Sequence, residues 1–367
     1  MEFVSIIYFG WLLVFLLVVW ISAYKYSPYI LTAFSAAFIF TTAPLAGTIL
    51  FTESLLSYLI IKQSKLRSWK YTILLIIIIL SAFLSFKYYA INNSFLLPLG
   101  ISYFTFRLIH YIQDSHRNNI REHSLIEFLA YMTFFPTYLV GPINLFPEFL
   151  MNLRRRAWDS NKFSKGLERF FYGYVVLIIF DNYFVNHVIR DWVSIQNSHS
   201  GNTGALILQS AYMWLDLYVR FSAYSSIAIG VSAMAGFQIP ENFNYPFLAT
   251  NIREFWQRWH ISLTGWCREY IFIPIAAVTR KPFVAIGATM ITIGVWHELS
   301  IRYILWGLYH SVGIIIYQKW SLYINDKLPT SQLFQECYSI AGIITTIAFV
   351  VLSFPVTTIV TSFINSL

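Results

Sequence analysis

The sequence predicts an all-α, polytopic membrane protein, and three observations carry that prediction. Charge is scarce: of 367 residues, 25 are Lys or Arg and 17 are Asp or Glu, 11% in all, against roughly 25% in an ordinary soluble domain. Apolar residues are in excess, at 57% hydrophobic, 19% aromatic and a mean hydropathy of +0.59. That is more apolar surface than one core of this size can bury, so the bilayer takes the rest. The charges also fall between long charge-free runs, and a spanning helix needs about 20 apolar residues to cross roughly 30 Å of hydrocarbon.

Other classes are excluded by the same arithmetic. The net charge of +8 does not imply nucleic acid, because the basic residues lie between apolar runs and form no continuous basic face. Cys267 and Cys337 are too few and too isolated for a disulfide framework or a zinc site. Met1-Glu2 lacks the basic start and cleavage site of a signal peptide, so the first apolar run is expected to remain in the protein.

In chain order the charge-free runs are Phe3 to Tyr24, Tyr26 to Thr52, Tyr71 to Phe86, Tyr88 to Phe106, Phe128 to Pro147, Phe221 to Pro240, Tyr303 to Gln318 and Tyr338 to Leu367. Shorter runs are Phe170 to Phe180, Gly204 to Leu215 and Phe283 to His297. Pro28 and Pro44 interrupt the second run and split it into two elements, while Pro355 leaves the last as one long or bent span. These runs give about nine to eleven transmembrane or re-entrant helices, the re-entrant ones being tolerated where backbone is buried in protein or lines a watery cavity. Lys62, Lys65, Arg67 and Lys70, and again Arg154, Arg155, Arg156, Lys162 and Lys165, mark cytoplasmic loops by the positive-inside rule. The polar stretch Ile189 to Gly204, with a single Arg, reads as an external loop. No internal repeat interrupts the chain, which reads as one membrane domain, residues 1–367.

Two polar islands stand out. Glu241 to Tyr270 packs Arg253, Glu254, Arg258, His260, Arg268 and Glu269 among Phe255, Trp256, Trp259 and Trp266. On one helix, Arg253, Trp256 and His260 would share a side. Such a helix either lies at the headgroups, anchored by Trp and Arg, or lines a pocket entering the membrane. The second island, Gly294-Val295-Trp296-His297-Glu298, lies between apolar runs. An ionisable group there is costly unless it faces a cavity or a partner, and His is the usual general base near neutral pH. His310 reads as a structural histidine of a helix bundle. A nucleophile elbow, a phosphate-cradling GxxxxGK and an HExxH pair are all absent from the sequence.

The string NFNYPFLATNIREFWQRWHISLTGWCREYIFIP, then GVWH, then Ile304 to His310, resembles the membrane-bound O-acyltransferase superfamily, in its bacterial branch of alginate and peptidoglycan O-acetyltransferases and the D-alanyl transfer protein. LPLGISYFTF (Leu97 to Phe106), FFPTYLVGPINLFPEF (Phe134 to Phe149), FSAYSSIAIG (Phe221 to Gly230) and AGFQIPENFN (Ala235 to Asn244) agree in order, so the family-like core covers about 97–317. The resemblance implies a ring of helices around a central funnel in the cytoplasmic membrane of a bacterium. It implies transfer of an acyl group, acetyl by default, from a cytosolic thioester of coenzyme A or a carrier protein. The acceptor would be a hydroxyl of an exported cell-envelope polysaccharide or of an acyl-relay protein outside the membrane. It carries the essential histidine onto His297 and a second catalytic histidine onto His260. Trp256, Arg253, Arg258, Trp259, Trp296, Glu298 and Asn244 are the expected substrate- or donor-binding residues, with Arg268 also suited to donor phosphates. No metal and no bound cofactor are implied, and the bilayer is the remaining partner.

Two departures from the family pattern are visible. Arg220 and Ser226 stand where relatives usually carry acids, and Glu298 stands where a glycine commonly follows the histidine. Asp216, one turn before Arg220, is expected to pair with it. Glu298 is placed to bias the charge of His297 or to receive a cationic acceptor, the first requiring a bent or broken segment that Gly294, just before His297, would allow. The alternatives are D-alanyl transfer to a teichoic-acid-like acceptor, a transporter or scramblase using the same polar cavity, and a non-catalytic scaffold.

Overall fold

The computed structural model describes residues 6–63, 68–93, 100–138, 140–199, 202–324 and 331–366. Lys65 and Arg67, the start of LPLGISYFTF, and Ser200 and Gly201 lie outside the described residues. Among those described, every regular element is helical, and the one paired extended contact is an isolated bridge between Phe243 and Trp259. The chain divides into two compact units, Met1–Tyr174 with Ala223–Pro240, and Val175–Ser222 with Glu241–Leu367.

The helices in order are α1 (Ile6–Ile21), α2 (Ser27–Thr42), α3 (Pro44–Lys62), α4 (Trp69–Asn93), α5 (Ile101–His116), α6 (Leu125–Thr133), α7 (Phe146–Arg154) and α8 (Ser160–Val175). A π-helical stretch, Val176–Ile189, follows, then α9 (Arg190–His199) and α10 (Asn202–Met234). The remainder is α11 (Ile252–Arg258), α12 (Ile261–Cys267), α13 (Ile273–Thr279), α14 (Pro282–His297), α15 (Ile301–Ile324) and α16 (Gln332–Ser366). Four helices, Pro44–Lys62, Trp69–Ala90, Ser160–Gln196 and Gln332–Ile364, are long and apolar enough to cross a bilayer, and Tyr8–Ile21 and Pro282–His297 are shorter apolar helices. The protein is an all-α membrane protein with several spans.

Pro44 separates α2 from α3 as expected, with Ala43 leaving the helical region (φ −150°, ψ 70°). Pro355 lies inside an unbroken α16. Three expectations are corrected. Phe170 to Phe180, read as a short run, belongs to a 37-residue helix, because polar residues before it still permit helix. Phe128 to Pro147, read as one span, is α6, a 3₁₀ turn at Phe135–Thr137 and the start of α7. Pro136 and Pro142 cannot continue a helix, and the buried irregular backbone is held by protein rather than lipid. Ile189 to Gly204, read as a loop, is mostly α9, since Asp191 in its first turn suits a helix start.

In the first unit, the irregular segment after α6 is tied down by α5. Arg107, 1% exposed, donates from Nη1 to the carbonyls of Tyr131 (3.2 Å) and Met132 (3.3 Å) and from Nη2 to the Thr137 carbonyl (3.1 Å) and hydroxyl. One turn along α5, His110 accepts the Phe146 backbone N–H at Nε2 (2.9 Å) and faces Asp114 with Nδ1 (3.2 Å). The guanidinium thus serves carbonyls at and beyond the end of α6, that of Tyr131 also accepting the Phe134 N–H (3.4 Å). At the start of α6, Ser124 and Glu127 form a capping box and Arg154 bonds Glu127 at 2.8 Å.

In the second unit, α14 and α15 touch backbone to backbone. A Cβ on Gly294 would lie 2.2 Å from the Tyr303 carbonyl oxygen, and one on Gly307 would lie 2.5 Å from that of Met290. Gly294 therefore does not break the helix, contrary to the expectation from sequence; it lets α14 run unbroken to His297 against α15. On the π-helix, Asp181 and Asn186 stack five residues apart. Arg220 donates to Asp181 (3.2 Å) and to Asp216 (2.8 Å), the second being the expected pair.

Candidate active site

The first polar island is not one helix. Asn251 caps α11 by accepting the Glu254 N–H (2.9 Å), and Glu254 accepts from Thr250 in return (2.7 Å). The helix ends at Arg258; Trp259 is extended and His260 is left-handed (φ 43°, ψ 55°) before α12 begins. His260 therefore does not share a helix face with Arg253 and Trp256. A side chain in the left-handed region stores strain of about 1–3 kcal/mol, a state that persists only where surroundings over-determine it and that clusters at functional sites. Those surroundings are visible. The Asn242 carbonyl accepts the Ile261 N–H (2.9 Å), its side-chain oxygen accepts the Ser262 hydroxyl (2.6 Å), and the Asn244 N–H bonds the Arg258 carbonyl (3.0 Å). Asn242, fully buried, was not singled out by sequence reasoning. An Asn in a polar stretch gives no local sign that it will bond Ile261 and Ser262, far along the chain.

His260 is 3% exposed and its Nε2 has no hydrogen-bond partner; its ring meets Phe221 (4.7 Å between centroids) and Trp296 (5.9 Å). His297, the last residue of α14, is exposed, and its ring packs against Trp296 (4.6 Å), Trp306 (5.6 Å) and Tyr303 (5.9 Å). Trp296 thus touches both histidines. Glu298 turns out of the helix into extended backbone, with its carboxylate 3.9 Å from Arg302.

Arg253, Trp256 and Arg268 come together on a cavity of about 290 Å³, closed on its apolar side by Met290, Ile293 and Ile314. Ile293 lies one turn before His297 on α14. The other expected binding residues stand elsewhere. Arg258 bonds Glu254 at 2.6 Å, and Trp259, 4% exposed, packs among Trp214, Phe243 and Phe255. Asn244 contributes its backbone to the clamp while its side chain is exposed.

His310 is 0% exposed, and neither ring nitrogen has a hydrogen-bond partner. It lies 4.5 Å from Trp306 and 5.3 Å from Trp256, and 6.5 Å from Trp214. The indole nitrogens of those three tryptophans are equally without partners. A buried polar group left unbonded costs about 1–3 kcal/mol, and native interiors bond nearly all of them. The cluster gathers four such side chains in ring contact with one another.

The model of the membrane-bound O-acyltransferase family matches residues 16–361. A probable alginate O-acetylase of Pseudomonas aeruginosa is 35% identical over 227 residues, 60% of this chain and 42% of that protein. A teichoic acid D-alanyltransferase of Bacillus subtilis is 32% identical over 241 residues (61% and 60%). A peptidoglycan O-acetyltransferase of Helicobacter pylori is 28% identical over 274 residues (62% and 48%). The matched stretch spans about half the length of these curated relatives.

Proposed function

The chain belongs to the membrane-bound O-acyltransferase family, and from that premise we propose that it moves an acyl group, acetyl by default, from a thioester to a hydroxyl of an exported glycan or relay protein. The observation that carries the reading is the position of His297. It is an accessible imidazole at the end of a short apolar helix, one turn from a cavity that pairs two arginines with an apolar wall. In this reading the acceptor hydroxyl gives its proton to His297 and its oxygen attacks the thioester carbonyl. The tetrahedral intermediate then expels the thiolate, which takes the proton back from the imidazolium. A positioned base contributes about 10²–10⁴-fold, and holding both substrates in a water-poor site supplies more.

His260, buried beside Trp296, orients substrate or stabilises the oxyanion. Arg253 and Arg268 suit the phosphates of coenzyme A or of a carrier protein's prosthetic arm, and Trp256 lines the passage inward. The membrane is proposed to be the bacterial cytoplasmic membrane, with the basic stretch around Arg154 to Lys165 inside.

D-alanyl transfer is the second reading. It is favoured by the D-alanyltransferase relative and by Glu298, whose carboxylate is held only loosely by Arg302 and suits an ammonium group. Purified protein in lipid nanodiscs, given radiolabelled acetyl or D-alanyl thioester and envelope glycan, tests both. Label in the glycan with one donor selects that reading. Donor movement without transfer supports a transporter, and neither result supports a scaffold.

A further inference from the structure

A second cavity, of about 440 Å³, lies between α15, α16 and the turn that leads into α11, and it is larger than the one that holds Arg253 and Arg268. We propose that it binds one acyl chain of a membrane phospholipid, with the headgroup beside Trp320 and Tyr338, and that this lipid braces the base of α11. The walls are two helical stripes at three- and four-residue spacing: Gly313, Ile316 and Trp320 of α15 face Tyr338, Thr345 and Phe349 of α16. Close contacts hold the frame open. A Cβ on Gly342 would lie 2.4 Å from the Thr250 carbonyl oxygen, which fixes α16 against the turn, and one on Gly313 would lie 2.3 Å from the Phe349 ring, which closes the inner end.

Polarity, opening and length together select the occupant. The lining contains no Lys, Arg, Asp or Glu, so a charged ligand would lose its hydration there without a counter-charge. Its threonine hydroxyls are already engaged, Thr345 with the Ala341 carbonyl (2.8 Å), Thr346 with that of Gly342 (2.7 Å) and Thr250 with Glu254 (2.7 Å). The interior therefore suits hydrocarbon. Ile316, Ala341 and Thr345 are exposed along the rim, and α16 is a membrane-length apolar helix, so the groove opens sideways to the bilayer. Trp320 and Tyr338, both exposed, stand at one end, and Trp and Tyr gather at headgroup level. At 1.5 Å per residue the stripe from Tyr338 to Phe349 is about 16 Å long, close to half of the roughly 30 Å hydrocarbon thickness. That is the depth of one leaflet, which fits a lipid chain; a partner's spanning helix would need a groove through the whole thickness. On the floor, Ile252 is the first residue of α11, whose next residues carry Arg253 and Trp256 to the other cavity.

The test uses the full chain, purified in detergent, washed free of lipid and then offered dioleoyl phosphatidylglycerol or dioleoyl phosphatidylethanolamine, with native mass spectrometry reading what stays bound. The wild type should hold one phospholipid of either kind after loosely attached ones leave, because the groove reads the chain and not the headgroup charge. Ala341→Trp and Thr345→Trp fill the groove from exposed positions and should weaken retention about tenfold, the burial of roughly two methylenes. Ile344→Trp, at an exposed position of α16 outside the lining, should leave it unchanged. The unfolding temperature gives a second readout: phospholipid should raise it in the wild type and in Ile344→Trp, and not in the two filled variants. Ala341→Leu and Thr345→Leu carry the same comparison if the larger side chains disturb the fold. Neither readout depends on acyl transfer. A wild type that retains no phospholipid, or equal retention in every variant, overturns the site. Retention of phosphatidylglycerol alone also overturns it, since the headgroup would then be what is gripped.

Discussion

His110 and His310 are both 0% exposed, both sit mid-helix, and they differ in one respect. Each ring nitrogen of His110 meets a partner, the Phe146 N–H at one end and Asp114 at the other. Neither ring nitrogen of His310 does. Beside His110, Arg107 bonds the carbonyls of an irregular segment through Nη1 and Nη2, while its Nε meets no partner. Around His310 stand three indoles without acceptors. Burial alone therefore does not say whether a polar group is bonded. Unmet groups also occur in the first unit, at Arg107 Nε and both side-chain atoms of Asn144, so the contrast holds for the two imidazoles and the groups they meet.

The largest effect extends the comparison to a third histidine. His297→Ala should reduce transfer by about 10²–10⁴-fold while the unfolding temperature stays near that of the wild type, since the side chain is an exposed helix end. Near wild-type turnover in a purified assay would defeat the assignment of the base.

Removing the cation at the satisfied pole comes next. Arg107→Leu should destabilise by about 3 kcal/mol, because bonds from a charged donor are worth roughly 1.5–3 kcal/mol and several buried carbonyls are stranded together. Denaturant unfolding in detergent reads this directly, and a loss under about 1 kcal/mol would mean the segment finds other donors. His110→Phe should cost about 2 kcal/mol by orphaning the Phe146 N–H and one side of Asp114. The matched His310→Phe should cost close to nothing; equal losses at the two positions would erase the contrast.

The smallest effect is electrostatic. Burial works to raise the Glu127 carboxyl, but hydrogen bonds from Arg154 and Ser124 outweigh it and hold the group below the usual carboxylate range. A depressed folded value means stability that is present above the ordinary glutamate range, about pH 4, and lost as pH falls through the folded value. With Arg154 largely exposed, the pair is worth under about 1 kcal/mol. Glu127→Gln should therefore narrow the stability difference between neutral and acid pH by that much, and a wider difference would reverse the sign.

Much of this was legible in the sequence because much of it is local. Charge-free length exposed α16, while α3 continues past Glu53, α4 past Lys87 and α10 past Asp216 and Arg220, because single charges do not stop a helix; Pro44 gave the break between α2 and α3, and the spacing of Asp216 and Arg220 their ion pair. Arg253 and Trp256 could be put on one face because they share a short helix. What stayed hidden depends on distant chain. His260 leaves its helix because Asn242 bonds the residues after it, and periodicity cannot register a clamp from another segment. Gly294 was read by its own backbone freedom, whereas its use is to admit the main chain around Tyr303. Trp214, Trp256 and His310 lie on three helices, so no spacing rule gathers them.

The joint between α14 and α15 also has a mechanical meaning. Where side chains interdigitate, two helices can slide by exchanging rotamers; where main chain meets main chain, there is nothing soft to exchange. His297 is thus mounted on a strut clamped twice along its length, where Gly294 meets the Tyr303 carbonyl and where Met290 meets Gly307 of α15, with little compliance of its own. For anyone reshaping the protein toward a bulkier acceptor, the side chains flanking the histidine are adjustable fittings. The two glycines are fixed points, and even a single methyl group at either would pry the strut loose.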